Sequence, residues 1–366
     1  MEDNSMSAFS SLTQSPELEQ PMINNENDRL YRVLENRICE RIFHGDYRDG
    51  ENLPPERILS ESLGISRVTV RKALALLEAD GIIQRLQGSG NRVSLSLSGY
   101  QGTMDIIAVL APAQNVFFAS FIDCFQRTAE NGDSLVLFKQ IPSGERLEDG
   151  LFKLFQKNIR NVVIWLEDQT VDMEAIRRLR GLGMNMVFFD VVTPSFYADG
   201  VLLDNVDAIK TLRRTFIQGG LRAIGYVGWD KDSIQSAKER ETVFLNQHPA
   251  PVFVHRIPWR ERGNLLQVAG QFAETMKSSE SPPHGVICGD GEIGVAIKKA
   301  FNSCGLESIA VASPDEYPES LALSICVYRQ DFERMAEKTY QCLSQQNRPD
   351  WRASTYRIKG ELVGDT

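Results

Sequence analysis

Long apolar runs are missing from this 366-residue chain: no stretch of 18 uncharged apolar residues occurs, so no spanning helix is expected. The opening residues, MEDNSMSAFSSLTQSPELEQP, have neither the basic nor the apolar region of a secretory leader. Histidine is scarce, with four in all, and none shows ligand spacing. The six cysteines (Cys39, Cys124, Cys288, Cys304, Cys326, Cys342) form no CxxC pair and have no nearby His. Neither a metal site nor a disulfide framework is therefore expected, but free thiols in a cytoplasmic protein. The sequence also has no GxSxG, HExxH, Ser/His/Asp spacing, dinucleotide fingerprint or phosphate loop, so neither an enzyme nor a cofactor is expected.

What is present is ordinary globular composition, 42% hydrophobic and 24% charged with 15 Pro and 27 Gly. It excludes collagen-like, coiled-coil and wholly disordered chains, and the length allows two or three domains. Charge is uneven. Residues 1–27 carry five acids and no Lys or Arg, whereas residues 28–100 carry eleven Lys/Arg against ten acids. A net charge of −9 argues against nucleic-acid binding only when averaged over the molecule, because a small positive face can act locally.

Residues 1–27 are weakly apolar and read as a disordered tail. From Asp28 an apolar stripe at helical spacing runs to Gly45, and a turn-rich connector, GDYRDGENLPPE, follows. A short helix is predicted near 55–63, ended by Gly64. Ser66 is the N-cap of a second helix from Arg67 to Asp80. Two short strands then flank the glycine-rich tip Gln87-Gly88-Ser89-Gly90. This order is a winged helix-turn-helix over 28–96, with a linker over 97–104. From 105 to 366, apolar runs alternate with amphipathic helices every 25–30 residues. The pattern predicts parallel sheets covered by helices, and the strand count fits two lobes of about six strands with a cleft between them.

The first module resembles the GntR family of bacterial transcription factors, on Gly45-Asp46-Tyr47, Gly50, Leu53-Pro54-Pro55-Glu56-Arg57, Ser66-Arg67-Val68-Thr69-Val70-Arg71-Lys72-Ala73-Leu74, Asp80-Gly81-Ile82-Ile83 and Gln87-Gly88-Ser89-Gly90. Pro55 stands where a small residue is usual. The second module resembles the effector domain of the LacI family and the periplasmic sugar-binding proteins. This resemblance rests on Asn115-Val116-Phe117-Phe118, Val187-Phe188-Phe189-Asp190, Leu203-Asp204-Asn205, Gly219 to Gly225, Arg240-Glu241-Thr242-Val243-Phe244, and Trp259 with Gly263. Gly289-Asp290 stands where Asn-Asp is usual, and the family's later Asp and Gln fall near Pro314-Asp315 and Val327. Together the two modules resemble the arabinose-responsive repressors of mixed architecture. The fold expected is α/β, a winged helix-turn-helix followed by a two-lobed, type I periplasmic-binding-protein-like domain.

The major groove admits one helix, read from its N-terminal end. Arg67 and Arg71 are four apart and share a helix face, and Arg can bond two guanine acceptors at once. Ser66 and Thr69 hydroxyls suit phosphate, Arg57 suits phosphate or base by resemblance, and Gln87, Gly88 and Ser89 form a tip small enough for a minor groove. Glu56 reads as a cap or orienting group. In the cleft, Phe118 and Trp259 are expected to clamp a ring from opposite lobes, with Phe117 nearby and Trp165 and Trp229 as alternates. Asn115, Asp190, Arg240 and Asp290 are the expected hydrogen-bonding set, all near the carboxyl edges of strands. Asp204-Asn205 reads mainly as a helix cap.

The partners expected are a pseudo-palindromic double-stranded DNA operator, a small effector such as a sugar, and a second copy of the chain in a homodimer, with no membrane. Activation in place of repression, a nucleoside effector, or a small-molecule binding protein without a regulatory role are the alternatives.

Overall fold

The computed structural model describes residues 27–95, 102–111, 116–141, 144–166, 170–191, 196–231, 234–247 and 252–364, with backbone only at 27–29 and 116–118. Almost all of the expected disordered tail lies outside these residues.

The head begins with helix α1 (Asn27–His44), then α2 (Glu56–Leu63) and α3 (Arg67–Ala79). The last two are joined by a turn that Gly64 makes possible at φ +63°, a left-handed backbone that costs glycine little. Ser66 caps α3, its Oγ accepting from the Thr69 backbone N–H at 3.1 Å. Strands β1 (Ile83–Leu86) and β2 (Gly90–Val93) pair antiparallel as the wing. Val70, Ala73, Leu74 and Leu77 bury one face of α3 against α1 and α2, leaving its opposite face to solvent.

Among the described residues, the remainder forms two six-stranded sheets. In the first lobe the elements run β3 (Ile106–Ala111), α4 (Val116–Asn131), β4 (Leu135–Gln140), α5 (Leu147–Gln156), β5 (Asn161–Trp165), α6 (Met173–Gly181), β6 (Asn185–Phe189) and β7 (Asp199–Leu203). The second lobe runs α7 (Asn205–Gln218), β8 (Ile224–Asp230), α8 (Gln235–Leu245), β9 (Val254–Pro258), a 3-10 turn (Trp259–Asn264), α9 (Leu265–Lys277), β10 (Gly285–Cys288), α10 (Gly291–Cys304), β11 (Ala310–Ser313) and β12 (Cys326–Arg329). The chain then returns through α11 (Phe332–Gln345) and β13 (Thr355–Ile358) to the first lobe, and ends in the second with β14 (Glu361–Val363).

The sheet orders are β13-β7-β6-β5-β3-β4 and β14-β12-β11-β10-β8-β9. All pairings within them are parallel except β12 with β14. Central strands such as β5 and β6 are buried on both faces, which is why they read as continuous apolar runs.

The chain crosses between lobes three times, at β7–α7, β12–α11 and β13–β14. One face of the first sheet packs on α4 and α11. The other packs on α5 and α6, and that core continues without a break into the head. Among the described residues no helix is long and apolar enough to cross a membrane.

Candidate reading face and ligand cleft

On the head, Arg57, Arg67 and Arg71 are exposed, as is the wing tip Gln87-Gly88-Ser89, where Gly88 and Gly90 take positive φ to make the turn. Arg57 Nη1 lies 3.4 Å from Glu61. Arg71 and the wing residue Arg85 both donate to the Glu56 carboxylate, at 3.2 and 3.1 Å. Glu56 therefore joins α3 to the wing.

Thr69 is buried, and its Oγ1 lies 2.9 Å from Ser66 Oγ. The two hydroxyls form a cap for α3. Only Ser66 is exposed enough to present an oxygen outward in addition.

In the two-lobed domain, Asp190 follows β6 of the first lobe and takes φ +55°, a left-handed conformation that Asp tolerates better than most side chains. Its Oδ1 is buried with no hydrogen-bond partner. Burial pushes its pKa up to about 7, opposed by the charge of Arg240 in the second lobe and reinforced by Asp315 and Glu239. Arg240, on α8, is buried and firmly held. It donates to Asp315 at 2.8 and 3.2 Å, to Asn205 Oδ1 at 2.7 Å and to the Gly289 carbonyl at 2.9 Å. Burial works against its charge, but the nearby carboxylates of Asp315 and Asp190 outweigh this and raise its pKa.

Asp290 caps α10 through the Ile293 N–H at 2.8 Å and accepts from the Trp229 indole. Burial pushes its carboxyl up to about 6. Trp259 is half-buried in the 3-10 turn, edge-to-face with Trp229 at 5.2 Å. Lys231 and Arg262 lie 4.3 and 4.8 Å from the Trp259 ring centre. Trp165 instead packs in the first-lobe core against Phe121 and Phe189. Phe117 and Phe118 fall in the first turn of α4, but their side chains, like all of Asn115, lie outside the described residues.

Asn205, Asp315, Gln330 and Tyr226 also belong to this cluster: the resemblance places the family's later Asp near Asp315 and its late Gln near Val327, the sequence reads Asn205 mainly as part of a helix cap, and it does not single out Tyr226. Asp204 is the N-cap of α7, as expected, but Asn205 turns its amide to Arg240 and Glu239. Asp315 supplies the counter-charge for Arg240. Gln330 donates to Asp315 at 2.6 Å. It thus stands three residues beyond Val327, where the sequence placed the late glutamine, because β12 and the turn after it carry the chain back to the cleft. The Tyr226 hydroxyl is buried with no partner. A side chain on Gly289 would come within 3.0 Å of it, so the glycine is what leaves that hydroxyl room.

Residues 30–93 match the family model described as bacterial regulatory proteins, gntR family. The chain is 33% identical over 122 residues to the mannosyl-D-glycerate transport/metabolism system repressor of Escherichia coli (strain K12), a match covering 33% of this chain and 46% of that protein. It spans less than half the length of the curated relatives it matches.

The two-lobed part resembles the trehalose repressor from Escherichia coli, with a TM-score of 0.58 at 15% identity, covering 71% of this chain and 100% of that one. It also resembles a periplasmic solute-binding protein of an ABC transporter from Actinobacillus succinogenes 130z, solved with bound D-allose. There the TM-score is 0.61 at 15% identity, covering 71% and 97%. At such identities the likeness is one of fold. The chain thus joins a gntR-type head to the two-lobed fold shared by LacI-type repressors and periplasmic sugar-binding proteins.

Proposed function

We propose that this protein is a ligand-controlled, sequence-specific transcription regulator, a repressor that binds a pseudo-palindromic operator as a homodimer in the cytoplasm and takes a sugar between its two lobes. The head spans 28–96 and the sensor 105–366, with residues 97–104 between them. The observation that carries the reading is the unpartnered Oδ1 of Asp190, buried at the carboxyl edge of the first sheet within reach of the charge on Arg240 in the second lobe. A buried acceptor left unpaired is costly, and a ligand hydroxyl donating to it removes that cost.

The named relative is a repressor in a sugar-derivative system, and one structural neighbour was solved with D-allose, which supports the choice of ligand class. The exposed edge strand β4 supports the dimer. Leu135, 68% exposed, and Leu137 leave an apolar strand edge of the kind that proteins otherwise cover.

The test has two arms on the intact chain. Selection from a random duplex pool should yield a symmetric site, and transcription from a promoter carrying that site should fall when protein is added. A rise instead would assign activation. A thermal-shift screen of sugars, polyols and nucleosides should find one class that stabilises the wild type. At 100 times its Kd, the ligand should add about 2.7 kcal/mol. Asp190→Asn should weaken that response, and an unchanged response would remove Asp190 from the site.

A further inference from the structure

Helix α6 has two opposite working faces. Residues two apart on a helix point away from each other, and residues three apart share a face. Arg178 and Gly181 therefore lie on one side and Arg180 on the other.

On the first side sits the head. Arg178 Nε donates to the Phe43 carbonyl at the end of α1, 2.8 Å away. The Phe43 ring stacks on Phe152 of α5 at 4.4 Å and 5°. Leu95, just after the wing, lies against the Gly181 backbone so closely that a Cβ there would come within 2.6 Å of Leu95 Cβ.

On the second side, Arg180 is fully buried. It donates to the Met184 carbonyl at 3.1 Å, to Asn185 Oδ1 at 2.5 Å and to the backbone and side-chain oxygens of Gln346, and it lies 4.3 Å from the Trp351 ring centre. Gln346 and Trp351 belong to the segment between α11 and β13, that is, between two of the three crossovers. Asp199 of β7 ties this segment down, accepting from Gln346, Trp351 and the Ser354 N–H at 2.7, 3.0 and 2.9 Å. The segment leads straight into β13, where Arg357 pairs at 2.8 Å with Glu239 of the second lobe, the residue next to Arg240.

We propose that α6 is the strut that transmits lobe movement to the reading head, with Arg180 gripping the crossover chain and Arg178 and Gly181 seating the head on the opposite face. The path runs from the Glu239–Arg357 pair along the backbone of β13 and the segment before it to Trp351 and Gln346, through their contacts with Arg180, and then along the backbone of α6 to Arg178 and Gly181, which meet Phe43 and Leu95. A change at the interlobe pair therefore reaches the head through packed and hydrogen-bonded groups, without crossing the linker. The proposal rests on the functional reading only in calling the head the output.

The test is a double-mutant cycle read by hydrogen exchange on the full chain, which needs neither operator nor effector. The four proteins are wild type, Arg357→Gln, Arg178→Ala and the double variant. Arg357 and Arg178 are both partly exposed, so neither substitution empties the core. Glu239→Gln breaks the same pair from the other side as a second variant.

The expected result is that Arg357→Gln, and likewise Glu239→Gln, speeds exchange of head amides from Ile42 to Tyr47 by threefold or more. In the Arg178→Ala background the same change should have less than a 1.5-fold effect. Head amides that ignore Arg357→Gln, or that respond by the same factor in both backgrounds, would overturn the strut. Failure to select any duplex with the wild type would instead remove the DNA-binding reading and leave the exchange cycle to decide the coupling.

Discussion

At the residue scale, the head and the cleft use charge in opposite ways. Arg67 and Arg71 are exposed and can lose their hydration to base edges, so each should be worth about 1–3 kcal/mol of specific binding and carry preference at one position per half-site. Binding of the Arg67→Ala and Arg71→Ala proteins to the selected operator checks this, and wild-type affinity in both would remove these residues from the reading face. In the cleft the burden falls on a carboxyl. Asp190 has a folded pKa of about 7 against about 4 when unfolded, so between those values the native state holds a proton that the unfolded chain has released. The contribution of Asp190 to stability then falls as pH rises from about 4 to about 7, and Asp290, raised to about 6, adds a smaller decline of the same sign, while His255, lowered by burial, contributes in the opposite sense. Asp190→Asn keeps the neutral shape and removes the first contribution, on the order of a few kcal/mol at about 1.4 kcal/mol per pKa unit. Thermal unfolding between pH 4 and 8 should show a flatter decline for the variant. Parallel curves would show that Asp190 is not protonated in the folded protein.

At the element scale, α3 depends on its first turn. Ser66 Oγ satisfies the Thr69 N–H and meets the Thr69 hydroxyl, so Ser66→Ala leaves an orphan donor at the end of the helix that carries Arg67 and Arg71. The expected cost is about 1 kcal/mol of stability, seen as a lowered unfolding midpoint in urea, and an unchanged midpoint would mean that the cap is idle. Helices and strands of this kind were legible in the sequence because their signals are local: Ser66 and Gly64 at helix ends, the Gln87–Gly90 tip, and the unbroken apolar runs of β5 and β6. The elements that escaped are β12, β13, β14 and α5. The strands are three or four residues long, and β13 and β14 are short edge strands whose place is set by partners far away in sequence. Helix α5 has Gly150 in its middle, which weakens the local helical signal. The site shows the same division. Asp190, Arg240 and Asp290 stand at strand ends or on a helix that the pattern marks. Gln330 and Asn205 join the cleft only because tertiary packing brings their segments to Arg240 and Asp315, and no spacing along the chain encodes that.

At the scale of the whole molecule, the two modules read from the sequence share a core. One buried cluster runs from Leu34 and Phe43 of α1 through Phe152 and Phe155 of α5 to Leu179 of α6 and the first sheet. Stacked phenyl rings contribute about 0.5–1.5 kcal/mol beyond the area they bury, and a buried Phe or Leu side chain about 1.5–3 kcal/mol. A head seated by Phe43, Leu95 and the Arg178 hydrogen bond should therefore not unfold before the lobe beneath it. In calorimetry of the full chain, the head and the first lobe should melt in one transition. A chain beginning at residue 102 exposes Phe152 and the head-facing side of α6, and should melt several degrees lower, at about 2–4 °C per kcal/mol for a body of this size. The loss should be confined to the first lobe, with amide exchange faster in α5 and α6 and unchanged in α9 and α10. If the shortened chain melts at the temperature of the full one, the head rests on the lobe without stabilising it. A strut built on that contact would then have too little energy to move the head.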